Sequence, residues 1–246
     1  MSDPEFTIHR FEAIDSTNTF LVSEAQKGAP DKTVVVAAHQ TAGRGRRGRT
    51  WEAPPGSSLL ASVLLRLRLP DDQLMLATVA VALAARAALA SLTGSAPELK
   101  WPNDLLYGEK KVSGVLAELA SVDEAEQAIV IGIGINLTWS GPDGVNATSV
   151  ADETGISLSP EALLSELLLE LSTRASLLEN EHGRKDLQEE FAHHLATIGT
   201  LVKVELADGV LTGLAQGVNQ AGHLILETSE GQQIVMTGDV IHLRST

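Results

Sequence analysis

The chain has 246 residues, of which 43% are hydrophobic and 20% charged, with a formal net charge of −14. That length and apolar content support a buried core and exclude a disordered chain. The lack of cysteine excludes disulfides and thiolate metal sites, and the acidity argues against nonspecific nucleic-acid binding, which depends on neutralising phosphates.

The first eighteen residues lack the basic-then-apolar pattern of a signal peptide, and no helix-turn-helix pattern precedes Asp15. Residues 16–28 read as a helix that opens on the cap formers Ser16 and Thr17 and closes at Gly28. TVVVAAHQ (33–40) is β-branched and apolar and predicts a buried strand. A second strand is expected within SSLLASVLLRLRL (57–69). The alanine-rich run from Asp72 to Leu92 follows two aspartates suited to a helix N-terminus and is interrupted by Arg86; it predicts a buried helix rather than a membrane span. ELKWPND (98–104) predicts a short strand ending in a turn, LLYGEKKVSGVLAELA (105–120) a hairpin turning near Gly108, and QAIVIGIGINLTW (127–139) a strand with Gly132 and Gly134 on one face. Residues 139–155 are turn-rich and predict a long surface loop. Ser159 and Pro160 start a helix, and a further helix is expected over 185–199. From 200 onward short alternating segments turn at Asp208-Gly209, Gln220–Gly222 and Glu230-Gly231, which predicts a small β-barrel-like domain.

Several segments could carry chemistry. GRGRRGRTW (43–51) packs Arg44, Arg46, Arg47 and Arg49 into six residues. Its glycines permit close backbone approach, and guanidinium groups bind phosphate or carboxylate bidentately. These arginines repel one another unless an anion sits among them, so the segment reads as a nucleic-acid patch, an anion-binding loop or a solvated charged loop. In KWPND, Asn103 and Asp104 either cap a turn or hold a metal–phosphate group, with Lys100 just before them. Lys110 reads as exposed. The glycines before Asn136 fit either a ligand or tight strand packing, and their spacing is not that of a dinucleotide site. The seven histidines have no metal-ligand spacing.

In order, DSTN, QTAGRGRRGR with its following Trp51, KWPNDLL, KKVSG and GIGIN form a series that resembles the biotin protein ligases, from about Phe11 to the C-terminus. The resemblance implies an α+β fold: a mixed β-sheet catalytic domain flanked by helices, like class II aminoacyl-tRNA synthetases, over 1–199, and an SH3-like C-terminal domain over 200–246. It implies a biotin site of Ser16, Thr17, Gln40, Gly43, Arg44, Arg46, Lys111, Gly114, Gly132 and Gly134. Arg46, Arg49, Trp51, Lys100, Asn103, Lys111 and Asn136 fall on the nucleotide side, Asp104 on the Mg²⁺ side, and Lys111 and Arg46 carry catalysis. The implied substrates are ATP and biotin with Mg²⁺. The implied partner is a biotin carboxyl carrier domain, as monomer or homodimer in the cytoplasm, with no nucleic acid and no membrane. With about ten residues before the family's core, the ligase-only type is expected. A lipoate or octanoate ligase on the related fold is the competing enzyme reading, and the arginine loop argues against it.

Overall fold

The computed structural model describes residues 6–122 and 126–243. A seven-stranded mixed sheet is built from β1 (Thr7–Ile14), β2 (Thr33–Gln40), β3 (Ser58–Leu67), β4 (Glu98–Lys100), β5 (Asp104–Tyr107), β6 (Lys110–Val122) and β7 (Gln127–Asn136). Its order is β1-β2-β3-β7-β6-β5-β4, with β1 and β2 parallel and the other neighbours antiparallel. The strand β1 has no counterpart in the sequence reading. It is a mostly exposed edge strand carrying His9, Arg10 and Glu12, so it shows none of the apolar alternation that marks a strand.

Helix α1 (Thr17–Gln26) starts where Ser16 Oγ accepts from the Thr19 amide. Helix α2 (Met75–Thr93) follows a short 3-10 turn at Asp71–Gln73 and ends on Gly94 in the left-handed conformation, φ 71°. It is long and apolar enough to cross a membrane, but 67% of that stretch is buried within the fold, where it packs against α4 (Pro160–Leu177) and the sheet. Ser159 caps α4 through the Ala162 amide, and Pro160 occupies its first turn, as the sequence predicts. Helix α5 spans Glu181–His194 and starts four residues before the expected Lys185. Gly183 hides this start from propensity arguments, yet it is required: a Cβ there would lie 2.4 Å from Leu177 O, so the two helices meet too closely for a side chain. The expected long loop over 139–155 is also partly ordered. It contains α3 (Val150–Thr154), capped by Ser149, with Thr148 and Ser149 buried beside it.

The C-terminal strands β8 (Leu201–Glu205), β9 (Val210–Val218), β10 (Leu224–Thr228), β11 (Gly231–Val235) and β12 (Asp239–His242) form an antiparallel sheet ordered β11-β10-β9-β8-β12. Buried Val202, Val204, Ala215, Leu224 and Leu226 join the main core. Trp101, 1% exposed, ties the two sheets together: its indole N–H donates to Gly222 O at 3.0 Å.

Candidate active site

β6 and β7 pair Gly114 with Gly134 and Leu116 with Gly132, which leaves Leu116 as the one side chain among three glycines on that face of the sheet. Both β7 glycines are covered by protein. A Cβ on Gly132 would lie 2.1 Å from Asn18 Oδ1, and one on Gly134 would lie 2.4 Å from the Trp51 ring. The Trp51 indole therefore lies against the Gly134 backbone. Its Nε1–H is buried without a partner, an arrangement that costs about 1–3 kcal/mol.

Two cavities meet at this face. A narrow one of about 30 Å³ is bordered by Ser16, Thr17, Asn18, Gln40, Arg44, Trp51, Gly114, Gly132 and Gly134. A wide one of about 670 Å³ is bordered by Arg44, Arg46, Arg49, Trp51, Lys100, Asn103, Asp104, Lys111, Gly114 and Asn136, together with Pro142, Val145, Asp239 and Ile241. Arg44, Trp51, Gly114 and Leu116 border both. Of the residues that the resemblance assigns to the site, only Gly43 lies off both walls. A Cβ on it would lie 2.3 Å from Trp51 O, so its small size lets the two ends of the arginine loop pair.

Around the narrow cavity the side chains form a bonded series. The Thr17 amide donates to Gln40 Oε1 at 2.8 Å. Thr17 Oγ1 lies 2.7 Å from Ser62 Oγ, which lies 2.6 Å from Asn18 Oδ1. Asn18 Nδ2 donates to Leu116 O and to Glu118 Oε2 at 3.1 and 3.0 Å, and Glu118 pairs with Arg44 at 2.9 Å. The sequence reading missed Asn18, Ser62 and Glu118. Asn18 stands inside the DSTN motif and Glu118 two strand steps beyond Gly114, but nothing local marks Ser62, which arrives from β3.

The wide cavity is bordered by five basic side chains (Arg44, Arg46, Arg49, Lys100, Lys111) and four acidic ones (Glu52, Asp104, Glu205, Asp239). Lys111 Nζ is 2.6 Å from Asp104 Oδ1 and 5.6 Å from the Trp51 ring centroid. Burial pushes the Lys100 ammonium below the usual lysine range, with Asp104 opposing that shift. The arginine loop is an ordered lid pinned to the C-terminal sheet. Arg46 donates to Asn103 Oδ1, Gly238 O and Thr237 Oγ1, Arg47 to Glu205 O and Leu206 O, and Arg49 to Asp239 Oδ2 at 2.6 Å. Asp239 lies within 3.6 Å of all three guanidinium groups. The anion that the clustered arginines require is thus supplied by the far domain, from a position the sequence reading did not single out. Burial also lowers the Arg46 pKa, against the pull of Asp239 and Asp104.

Asn136 borders the wide cavity, but its Nδ2 donates to Thr148 O and so anchors the loop after β7. That loop is joined to the strand bearing Lys111: Lys111 N donates to Asn146 O and Thr148 N to Lys111 O. Lys110 is exposed, as expected, and pairs with Glu153 at 3.1 Å. Asp104 offers a single carboxylate, already paired with Lys111, and the described residues contain no cluster of three acidic, His or Cys side chains that could hold a metal. This donor set does not make a resident metal centre. It suits only an ion that arrives on substrate phosphates.

A glycine-rich strand pair, a narrow polar pocket and a wide chamber under the arginine loop are thus gathered in one place, and similarity to known proteins places them in a ligase. Residues 10–136 match the biotin/lipoate A/B protein ligase family and residues 197–243 the biotin protein ligase C-terminal domain, and the chain belongs to this family as a biotin ligase. It is 35% identical to the biotin–[acetyl-CoA-carboxylase] ligase of Mycobacterium tuberculosis, covering 93% of this chain and 86% of that one. It is 33% identical to the enzyme of that name from Paracoccus denitrificans, covering 92% and 96%. Identity to the bifunctional ligase/repressor BirA of Bacillus subtilis is 30%, over 93% of this chain and 72% of that protein. The structure matches the biotin protein ligase from Aquifex aeolicus in complex with biotin and ATP with a TM-score of 0.81 and 29% identity, over 97% and 99% of the two chains.

Proposed function

We propose that the protein activates biotin with ATP to biotinyl-5′-AMP and then transfers the biotin to a lysine of a biotin carboxyl carrier domain. The observation that carries this reading is the position of Lys111, on the wide chamber beside Gly114 and Trp51, where the two cavities meet. A carboxylic acid seated in the narrow pocket would end there, and a nucleotide in the wide chamber would bring its α-phosphate to the same point. The carboxylate oxygen attacks phosphorus, the bond to the pyrophosphate oxygen breaks, and pyrophosphate leaves. Lys111 and Arg46 offset the repulsion between two anions and the charge that develops on the phosphoryl group. Lys100 and Arg49 fall on the outgoing phosphates. Mg²⁺ is proposed to enter with ATP and to be met by Asp104. In the second step the neutral acceptor ε-amine attacks the anhydride carbonyl, AMP leaves with the carbon–oxygen electron pair, and the nitrogen gives up one proton to solvent as the amide forms. The lid keeps water from the anhydride meanwhile.

The same reading gives the division at Gly199 into a catalytic domain and a lid-holding C-terminal domain. It places the enzyme in the cytoplasm, where its co-substrate ATP is abundant. Named relatives that are biotin–[acetyl-CoA-carboxylase] ligases support a carboxylase carrier domain as acceptor. The Lys111→Ala variant tests the reading: biotin adenylation should fall about 100-fold or more while the thermal transition is kept. Turnover within about threefold of the unsubstituted protein would remove Lys111 from the mechanism.

A further inference from the structure

We propose that Thr197, with His242 behind it, is a positioning residue for Lys100: its buried hydroxyl fixes the backbone beside that lysine and so holds the ammonium on the phosphate side of the chamber. The inference rests on the ATP reading above and deepens it, because it extends the adenylation machinery to the link between the two sheets.

Lys100 needs such a support. It ends β4, the edge strand of the seven-stranded sheet, and borders the wide cavity. Its ammonium makes no hydrogen bond or ion pair among the described residues. Nothing at the tip of the side chain fixes where the charge stands, so the backbone must. β4 pairs on one side with β5, where Lys100 faces Asp104. Its other side is taken by the link that follows α5. There Leu99 bridges Leu195 in parallel, and the Ala196 amide donates to Leu99 O at 2.9 Å. One step on, the Trp101 amide donates to Thr197 Oγ1 at 3.1 Å. A side-chain hydroxyl thus takes the first amide after Lys100, where the chain leaves the strand for the KWPND turn.

The hydroxyl is itself rigidly mounted. Thr197 is 0% exposed. Its carbonyl accepts from Thr200 Oγ1 at 2.7 Å. The Gly199 amide donates to Ala215 O and the Ala215 amide to Thr200 O, at 2.8 and 3.0 Å, which ties the link to β9. His242 Nε2, on β12, lies 3.3 Å from Thr197 Oγ1. An amide only donates, so the hydroxyl accepts from Trp101 and keeps one proton and a second lone pair. It can therefore bond the imidazole in either tautomer. Burial and then the Lys100 ammonium lower the His242 pKa, so ring and ammonium lie within reach of each other's charge. Loss of the hydroxyl would leave a buried amide unpaired at the root of Lys100. The Trp101 indole would stay seated, because Gly222 O holds it separately.

The test uses the full-length protein with Thr197→Val, Thr197→Ser, His242→Leu and Lys100→Met, and measures the two half-reactions apart. Adenylation is read as kcat/KM for ATP in pyrophosphate exchange. Transfer is read from supplied biotinyl-5′-AMP to a purified carrier domain of an acetyl-CoA carboxylase. The outgoing phosphates take no part in transfer, so the pair of rates separates phosphate positioning from general damage. Thr197→Val should slow adenylation about tenfold and leave transfer within about twofold, and Thr197→Ser, which keeps the hydroxyl, should stay within about twofold in both. His242→Leu should show the same split at about threefold. Lys100→Met should slow adenylation at least as much as Thr197→Val, and combining the two should add little, because the hydroxyl acts through the lysine. Equal loss in both half-reactions, normal adenylation by Thr197→Val, or no rescue by serine would overturn the positioning role; normal adenylation by His242→Leu would remove the ring from it. If Thr197→Val has no melting transition, His242→Leu, whose side chain is only half-buried, carries the comparison. Normal adenylation by Lys100→Met would remove the phosphate role of Lys100 and this inference with it. No activation of biotin by the unsubstituted protein would remove the functional reading instead.

Discussion

At the scale of single residues, the lid charge Arg46 is held under unusual conditions. Its guanidinium is withdrawn from water, which lowers its pKa, and is compensated by Asn103, Thr237, the Gly238 carbonyl and the nearby Asp239. A charge so placed is a fixed group on the chamber wall rather than a mobile surface group. Arg46→Gly should therefore let biotinyl-AMP escape, with free adenylate released and bystander lysines labelled, at a rate higher by about tenfold or more. Labelling confined to the acceptor lysine would remove the retaining role. The arginine cluster was legible in the sequence as a segment that calls for anions, because four guanidinium groups in six positions repel one another. Its partner was not legible: Asp239 lies about 190 positions downstream, and no local pattern separates it from the chain's other acids.

At the scale of elements, the arginine loop is ordered by the edge of a different sheet. Arg49 pairs with Asp239 Oδ2 at 2.6 Å, and Arg47 caps the Glu205 and Leu206 carbonyls at the end of β8. Removing the carboxylate leaves the guanidinium groups to repel one another. Asp239→Asn should make the 44–49 segment about tenfold more susceptible to trypsin in native protein, through a lower local opening free energy. Unchanged cleavage would mean that the Arg47 and Arg46 carbonyl contacts suffice. Element types were read well where an apolar run, a cap or turn residues carried them, as in α4, the β5–β6 hairpin, the C-terminal strands with their three turns, and α2, whose expected aspartate start falls in the turn before it. The misses share a cause. β1 is an edge strand, α5 opens through Gly183, and α3 hides in a turn-rich segment; in each, pairing or close packing overrides local composition. The glycine pair of β7 was legible as a site of close approach, but not that Asn18 and Trp51 are what approach.

For the whole molecule, burial of three histidines makes stability depend on pH. His194, His223 and His242 all have pKa values lowered chiefly by burial, so each binds its proton more readily in the unfolded chain. Their contribution is complete above the unfolded histidine value of about 6.5 and is lost as pH falls through the depressed folded values. Denaturation midpoints should be flat above about pH 7 and fall as the pH drops toward 5. His242→Asn should shrink that fall, and an unchanged profile would show that this histidine takes no part. Asp152 and Glu153, lowered by their hydroxyl partners Ser140 and Thr148, add a second loss at lower pH in the same direction. All these groups serve a molecule whose two sheets must stay docked, because the chamber has walls from both. The central claim, that this chamber joins biotin to AMP, is tested most directly by ATP–pyrophosphate exchange with biotin, lipoate and octanoate as alternative acids. Exchange should be rapid with biotin and at least about a hundredfold slower with either of the others; no exchange with biotin, or equal exchange with all three, would rule out this chemistry.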